Sequence, residues 1–314
     1  MKLWVSGFNA WGQLNIFSEK DQNQVFPDDV KTFQILTQSD KLNILWTAIT
    51  ANLIEESGKI WVAGCPDEIV TILSQKPALC SFIAVAGNDK IVGGSIINFL
   101  LKIYTLIGIA IENGALRLFD SLQNFRNGIG KLIENCQKFT HVVANQTSFT
   151  ALSSRGDVWT WGDPRYSACL GREILCESSA SVPCLVESLS YLPTGPIKKI
   201  SSGGYITAAL TNGNDMYVWG GHPGQPGILD SLASDPMPIN IEGADIIDIA
   251  VGFDHILALT LDGRLYTIGF GDHGQLGVSS KQQCQWKEVM LFPIKGQHII
   301  KVYAGYKTSF VVTR

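Results

Sequence analysis

Short apolar runs alternate with tight polar turns along the chain, and they recur in a fixed order. An apolar strand meets a turn rich in Gly, Asn or Asp, a second strand follows and ends in Gly, and a longer loop comes next. Residues 257–269 are the clearest copy, with Asp262-Gly263 at the turn and Gly269 at the end. Such turn residues tolerate the positive φ that two-residue hairpins require. Turns are predicted at Ser57-Gly58-Lys59, Asn113-Gly114, Arg155-Gly156-Asp157, Asn212-Gly213-Asn214-Asp215 and Asp262-Gly263, with second strands over 60–64, 115–119, 158–162, 216–220 and 265–269. A weaker copy has strands at 82–85 and 90–94 around Gly87-Asn88-Asp89. One more is split between the termini, because 310–314 reads directly into 2–7. Further strands at 197–204, 246–252 and 299–305 lead into their hairpins and close on glycines, which permit a sharp bend.

Seven copies at an average spacing of about 45 residues fit propeller blades. A repeat divided between the termini places both ends of the chain in one sheet. The expectation is an all-β, seven-bladed β-propeller closed by pairing of N- and C-terminal strands, forming a single domain over residues 1–314. Closure of that kind removes exposed sheet edges.

Two loops carry a shared signature: Gly7-Phe8-Asn9-Ala10-Trp11-Gly12-Gln13-Leu14 and Gly269-Phe270-Gly271-Asp272-His273-Gly274-Gln275-Leu276-Gly277. With the register Gly252, His255, Asp262-Gly263 and Gly269, these segments resemble the regulator-of-chromosome-condensation repeat family, Ile268 standing where the family has Trp. The resemblance spans most of the chain and is weakest over 65–139. It is nearest to compact single-propeller forms such as the alpha-tubulin suppressor group and the short chromatin-associated group. It implies seven blades, a structural role for His255 at a strand corner, and a non-catalytic scaffold that holds partner proteins. For the alpha-tubulin suppressor group it further implies links to tRNA wobble-uridine modification, diphthamide synthesis or microtubule regulation. The alternatives it implies are a guanine-nucleotide exchange factor for a Ran-type small GTPase and an adaptor of a Jumonji-type hydroxylase. Exchange would call for a protruding hairpin wedge. Of the long insertions, 18–42 is rich in Asp and Gln, and 172–196 carries Pro183, Pro193 and Pro196 with no hairpin turn.

Composition narrows the function classes. Apolar residues make up 46%, charged residues 17%, and the net charge is −4. No Lys/Arg run occurs in the sequence, which argues against a phosphate-driven nucleic-acid platform. Seven cysteines without a CxxC pair suit a reducing compartment, cytoplasmic or nuclear. The start lacks a small-residue cleavage pattern, against a signal peptide. Residues 91–111 are long and apolar enough to span a bilayer, but Lys102, Asn98 and Gly93-Gly94 favour buried strands.

Gly269 to Gly274 spells G-x-G-x-x-G, yet no helix is predicted to open there and present amides to a pyrophosphate. Cys169, Cys176 and Cys184 are spaced too widely for a zinc site and have no nearby His. No nucleophile elbow or paired general acid and base is recognisable. The expectation is therefore a protein that is not an enzyme, with no cofactor, no metal, no nucleic acid and no membrane, monomeric apart from protein partners. The candidate interface residues are Trp11, Tyr166, His222, Phe270 and His273, in loops following Gly-terminated strands, where rigid scaffolds carry function.

Overall fold

A computed structural model describes residues 1–15, 28–86, 108–133, 137–223, 228–229, 232–290 and 298–314. The chain divides into two compact units, one of Met1–Cys80, Ile228–Asp230 and Ile241–Arg314, the other of Ser81–Gly227 and Ser231–Asn240.

The first unit holds three sheets. Blade 1 joins Ile299–Ala304, Thr308–Thr313, Lys2–Gly7 and Val30–Gln38, from inner to outer strand. Its third strand comes from the N-terminus and runs antiparallel to the C-terminal strand, Lys2 facing Thr313 and Gly7 facing Thr308. The terminal pairing expected from the split repeat is present. Leu3, Val5, Phe310 and Val312 are buried together with Leu42, Ile44 and Ile54, so strands from both ends of the sequence share one apolar core. Val30–Gln38, inside the long insertion at 18–42, is the outer strand of this blade. Blade 2 is Leu42–Thr47, Ala51–Glu56 and Lys59–Gly64, and blade 6 is Ile246–Val251, His255–Thr260, Leu265–Phe270 and Gln282–Glu288.

The second unit holds the other three. Blade 3 is Ile83–Ala84, Gly108–Glu112, Ala115–Phe119 and Lys131–Ile133. Blade 4 is Phe139–Ala144, Ser148–Ser153, Val158–Gly162 and Cys184–Leu185. Blade 5 is Ile197–Gly203, Ile206–Thr211, Met216–Gly220 and Met237–Ile239.

The described sheets number six, which corrects the expected seven blades. The extra copy arose from counting residues 82–94 as a hairpin of their own. Instead Ile83 faces Ala110 and Ala84 faces Ile109, so this short run is the inner strand of the blade whose hairpin turns at Asn113-Gly114. Two expected copies merge into one. The supposed partner strand at 90–94, and most of 91–111, lie outside the described residues. Gly108–Glu112, the end of that apolar run, is a strand paired on both sides. No helix among the described residues is long and apolar enough to cross a membrane.

All five predicted hairpin turns hold a residue at positive φ: Ser57 and Gly58, Asn113 and Gly114, Gly156, Asn214, and Gly263. A second regularity was not anticipated. The inner strand of five blades slips by one residue against its neighbour, at Ile44/Trp46, Phe139/His141, Ile197/Lys199, Ile246/Asp248 and Ile299/Lys301. A bulge of this kind bends and twists the strand, as tapering of a sheet toward its inner edge requires.

Candidate protein interface

The loops that carry the candidate residues are anchored by a repeated backbone device. Gly7, Gly64, Gly220 and Gly269 close their strands at φ +118°, +95°, +119° and +119°. A Cβ at any of them would collide with a carbonyl oxygen of the facing turn, from Lys307, Thr50, Tyr205 and Asp254 respectively. The residue after each glycine donates its amide to that same carbonyl: Phe8 to Lys307, Cys65 to Thr50, Gly221 to Tyr205 and Phe270 to Asp254, at 2.8–2.9 Å. Only glycine permits both the dihedral and the approach. The loop therefore leaves every strand in a fixed direction.

The Gly-Gln-Leu signature adds a side-chain brace. Buried Gln13 accepts from the Trp11 amide at 3.0 Å and donates to the Ile49 carbonyl at 3.1 Å. Gln275 does the same for His273, accepting from its amide at 3.0 Å and donating to Asp254 Oδ1 at 3.0 Å. Trp11 and His273 thus occupy equivalent, rigidly held positions. The G-x-G-x-x-G run is part of this packed loop: Gly274, at φ +93°, abuts the backbone of Val30 and Lys31.

In the first unit, Trp11 is exposed and Phe270 half-buried. His273 packs edge-on against Phe8, with ring centroids 5.0 Å apart. Its Nδ1 lies 2.9 Å from Asp29 Oδ2. Asp29 also accepts from the Asn9 amide at 3.1 Å and from Lys31 at 3.2 Å. Partial burial alone would raise the Asp29 pKa, but the hydrogen bonds from His273, Asn9 and Lys31 outweigh it and hold the carboxyl below its ordinary value. Phe253 and Tyr306, in the turns between inner strands, pack at 4.5 Å.

His255 is fully buried, and its Nε2 lies 2.9 Å from Ser309 Oγ. That hydroxyl donates to the Gln275 carbonyl at 2.6 Å, so the imidazole is the donor to Ser309. Its partner is thus a side chain of blade 1, and the contact ties blade 6 to blade 1.

In the second unit, Tyr166 and His222 meet a third ring, Tyr205. Tyr166 stacks on Tyr205 at 5.6 Å, and His222 stands edge-on to Tyr205 at 4.6 Å. Arg165 lies over Tyr166 at 5.9 Å and is held by Asp163. Burial, then Tyr166 and Cys169, push the Tyr205 phenol above its usual pKa. The Cys169 thiol beneath donates to the Tyr205 carbonyl at 3.4 Å, while Cys176 is exposed and Cys184 half-buried. Tyr205 is not legible from the loop pattern because it sits in a turn between inner strands, outside the loops that follow the Gly-terminated ones. Its position matches Asp254 and Lys307, and that register was the available signal.

The five predicted residues thus fall into two groups: Tyr166 with His222 in one unit, and Trp11, Phe270 and His273 in the other. Comparison with known proteins fits this frame. The family described as the regulator of chromosome condensation (RCC1) repeat matches residues 155–210 and 262–312, and a second description of that repeat matches 246–275. Residues 155–210 and 246–312 are thus similar to regulator-of-chromosome-condensation repeats. It is 32% identical over 183 residues to the RCC1 domain-containing protein RUG3, mitochondrial, of Arabidopsis thaliana, an alignment covering 56% of this chain and 40% of that protein. It is 35% identical over 130 residues to the regulator of chromosome condensation of Homo sapiens, covering 40% and 30%. The aligned part spans well under half the length of these relatives. Among solved structures, human WBSCR16 covers all of both chains at a TM-score of 0.60 and 13% identity. Prp20p of Saccharomyces cerevisiae, described with its binding to Gsp1p and histones, covers 99% of this chain and 90% of its own at 0.53 and 13%. These structural likenesses establish the fold.

Proposed function

We propose that the chain is a non-catalytic protein-binding propeller whose partner is a small GTPase of the Ran type, and that it promotes release of the bound nucleotide. The observation that carries this reading is the fixed presentation of aromatic side chains at Gly-terminated strand ends, with Trp11 braced by Gln13 and Tyr166, Tyr205 and His222 packed as one group. Rigid aromatic anchors suit a protein interface because little side-chain entropy is lost when they are covered. Similarity to regulators of chromosome condensation, and to Prp20p with its binding to Gsp1p, supports this partner over the modification and microtubule pathways that the first resemblance suggested. It also fits residence in the nucleus and cytoplasm. The test is release of a fluorescent guanine nucleotide from a loaded Ran-type GTPase. Acceleration above the spontaneous rate supports the reading, and an unchanged rate at saturating protein removes exchange.

A further inference from the structure

The sequence shows no basic run, but folding assembles one. Lys138, His141, Arg155, Lys198 and Lys199 gather at the hairpin-turn end of blades 4 and 5, in the second unit and at the opposite strand ends from Tyr166, Tyr205 and His222. Three contacts bring them together. The Ser154 amide donates to the Lys138 carbonyl at 2.7 Å, the Ile197 amide to Gly156 at 3.3 Å, and Pro196 packs on Gly156. The bulges described above change which way these residues point. Adjacent residues in a regular strand face opposite sides. The slips at Phe139/His141 and Ile197/Lys199 instead leave Thr140 and His141 both exposed, and Lys198 exposed beside half-buried Lys199. Lys198 donates to Asn214 Oδ1, a neutral acceptor. The Lys199 ammonium is close enough to His141 to help partial burial lower the imidazole pKa.

In the connection from blade 4 that leads into Lys198 and Lys199 stands Tyr191. It is completely exposed and has φ +58°. A bulky side chain at positive φ is a genuine outlier that persists only where its surroundings fix it. The backbone on its C-terminal side is held firmly. Leu192 packs on the core with Val186, Leu189 and Ile197, and the Gly195 amide donates to the Leu192 carbonyl at 3.0 Å. The Gly213 amide donates to Thr194, and Thr194 Oγ1 donates to Asp215, in the turn that Lys198 also reaches. An aromatic ring is held out in water by a strained, well-anchored turn, in the segment whose later residues reach the same 214–215 turn as Lys198.

We propose that this end of blades 4 and 5 is a docking surface for an acidic segment of a partner protein, with Lys138, Arg155, Lys198 and Lys199 engaging its carboxylates and Tyr191 covering an apolar residue within it. Charge complementarity identifies the occupant, since the cluster is positive on a chain of net charge −4. A protein segment fits better than a nucleic acid. Asp157, paired with Arg155, and Asp215 interrupt the cations, so the surface suits separately placed carboxylates better than an unbroken phosphate backbone.

The test is fluorescence anisotropy at low ionic strength with a labelled glutamate-rich peptide containing a central leucine pair. Saturable binding is expected. K198E/K199E and, independently, K138E/R155E should each weaken it by about tenfold or more, with melting temperatures near that of the unaltered protein. Tyr191→Ala should weaken it by about threefold or more, and by less when serines replace the leucines. Three results would overturn the proposal: no binding of the peptide, affinity in both charge-reversed variants equal to that of the unaltered protein, or tighter binding of a single-stranded oligonucleotide of equal charge. Nucleotide release from a GTPase is a separate readout, so the two proposals can fail independently.

Discussion

Arg172 offers the sharpest energetic test of how the long loop of blade 4 is held. The side chain is buried, and its guanidinium is matched by neutral acceptors. Nε donates to Thr160 Oγ1 at 3.2 Å, Nη1 to the Ser178 carbonyl at 2.7 Å and Glu173 at 3.5 Å, and Nη2 to the Thr160 and Ser179 carbonyls at 3.1 and 3.0 Å. Thr160 Oγ1 gives its own proton to the Leu170 carbonyl, leaving its lone pairs for Arg172. Burial lowers the Arg172 pKa from its usual value, yet the group stays charged. Hydrogen bonds to a charged group contribute about 1.5–3 kcal/mol each, and the three contacts at 3.1 Å or less dominate. Desolvating the guanidinium costs several kcal/mol and offsets part of that gain. Carbonyls released from Arg172 on the loop side can find water, whereas that of Thr160, inside the strand, cannot. Arg172→Ala should therefore cost about 3–5 kcal/mol in urea denaturation, and Arg172→Met, which keeps the stem, about 2–3 kcal/mol. A loss below about 1 kcal/mol for the alanine variant would refute the argument that this side chain organises the loop.

Gly269→Ala should lose about 2 kcal/mol or more and melt earlier, because a Cβ there meets the Asp254 carbonyl at a dihedral that alanine resists; an unchanged melting curve would refute the strand-end device. Asp29 has a depressed pKa in the fold, so its stabilising contribution is complete above its unfolded value of about 3.9 and disappears as pH falls through the lower folded value. Asp29→Asn should accordingly flatten the loss of stability on acidification below about pH 4, as measured by denaturant midpoints across pH.

Local chemistry made the hairpins readable and left their assembly obscure. Asn113-Gly114 and Asp262-Gly263 announce turns because few residues accept positive φ, and each turn lies where the pattern put it. Leu3 to Val5 and Phe310 to Val312 could be joined across the termini because both halves keep the apolar register of a buried strand. The blade count failed where those signals are weak. Gly87-Asn88-Asp89 looks like a turn, but pairing of Ile83 with Ala110 is a long-range choice that no local residue encodes. The candidate surface was half legible. Trp11 and His273 sit in a recognisable signature, whereas Tyr205, Phe8 and Asp29 join them only through contacts between strands and loops distant in sequence. The cationic end of blades 4 and 5 was invisible for the same reason, since Lys138 and Lys198 meet only through neighbouring blades.

The claim of protein binding through strand-end aromatic loops is tested most directly by isothermal titration of the protein, and of Trp11→Ala and Tyr205→Ala variants, against a nucleotide-free Ran-type GTPase. Trp11 is exposed and Tyr205 half-buried, so both variants should fold with melting temperatures close to the parent. The account predicts saturable one-to-one binding that weakens by about 2 kcal/mol, nearly thirtyfold, when an anchor that lies in the interface is truncated. No binding by the intact protein, or binding indifferent to both substitutions, would contradict it.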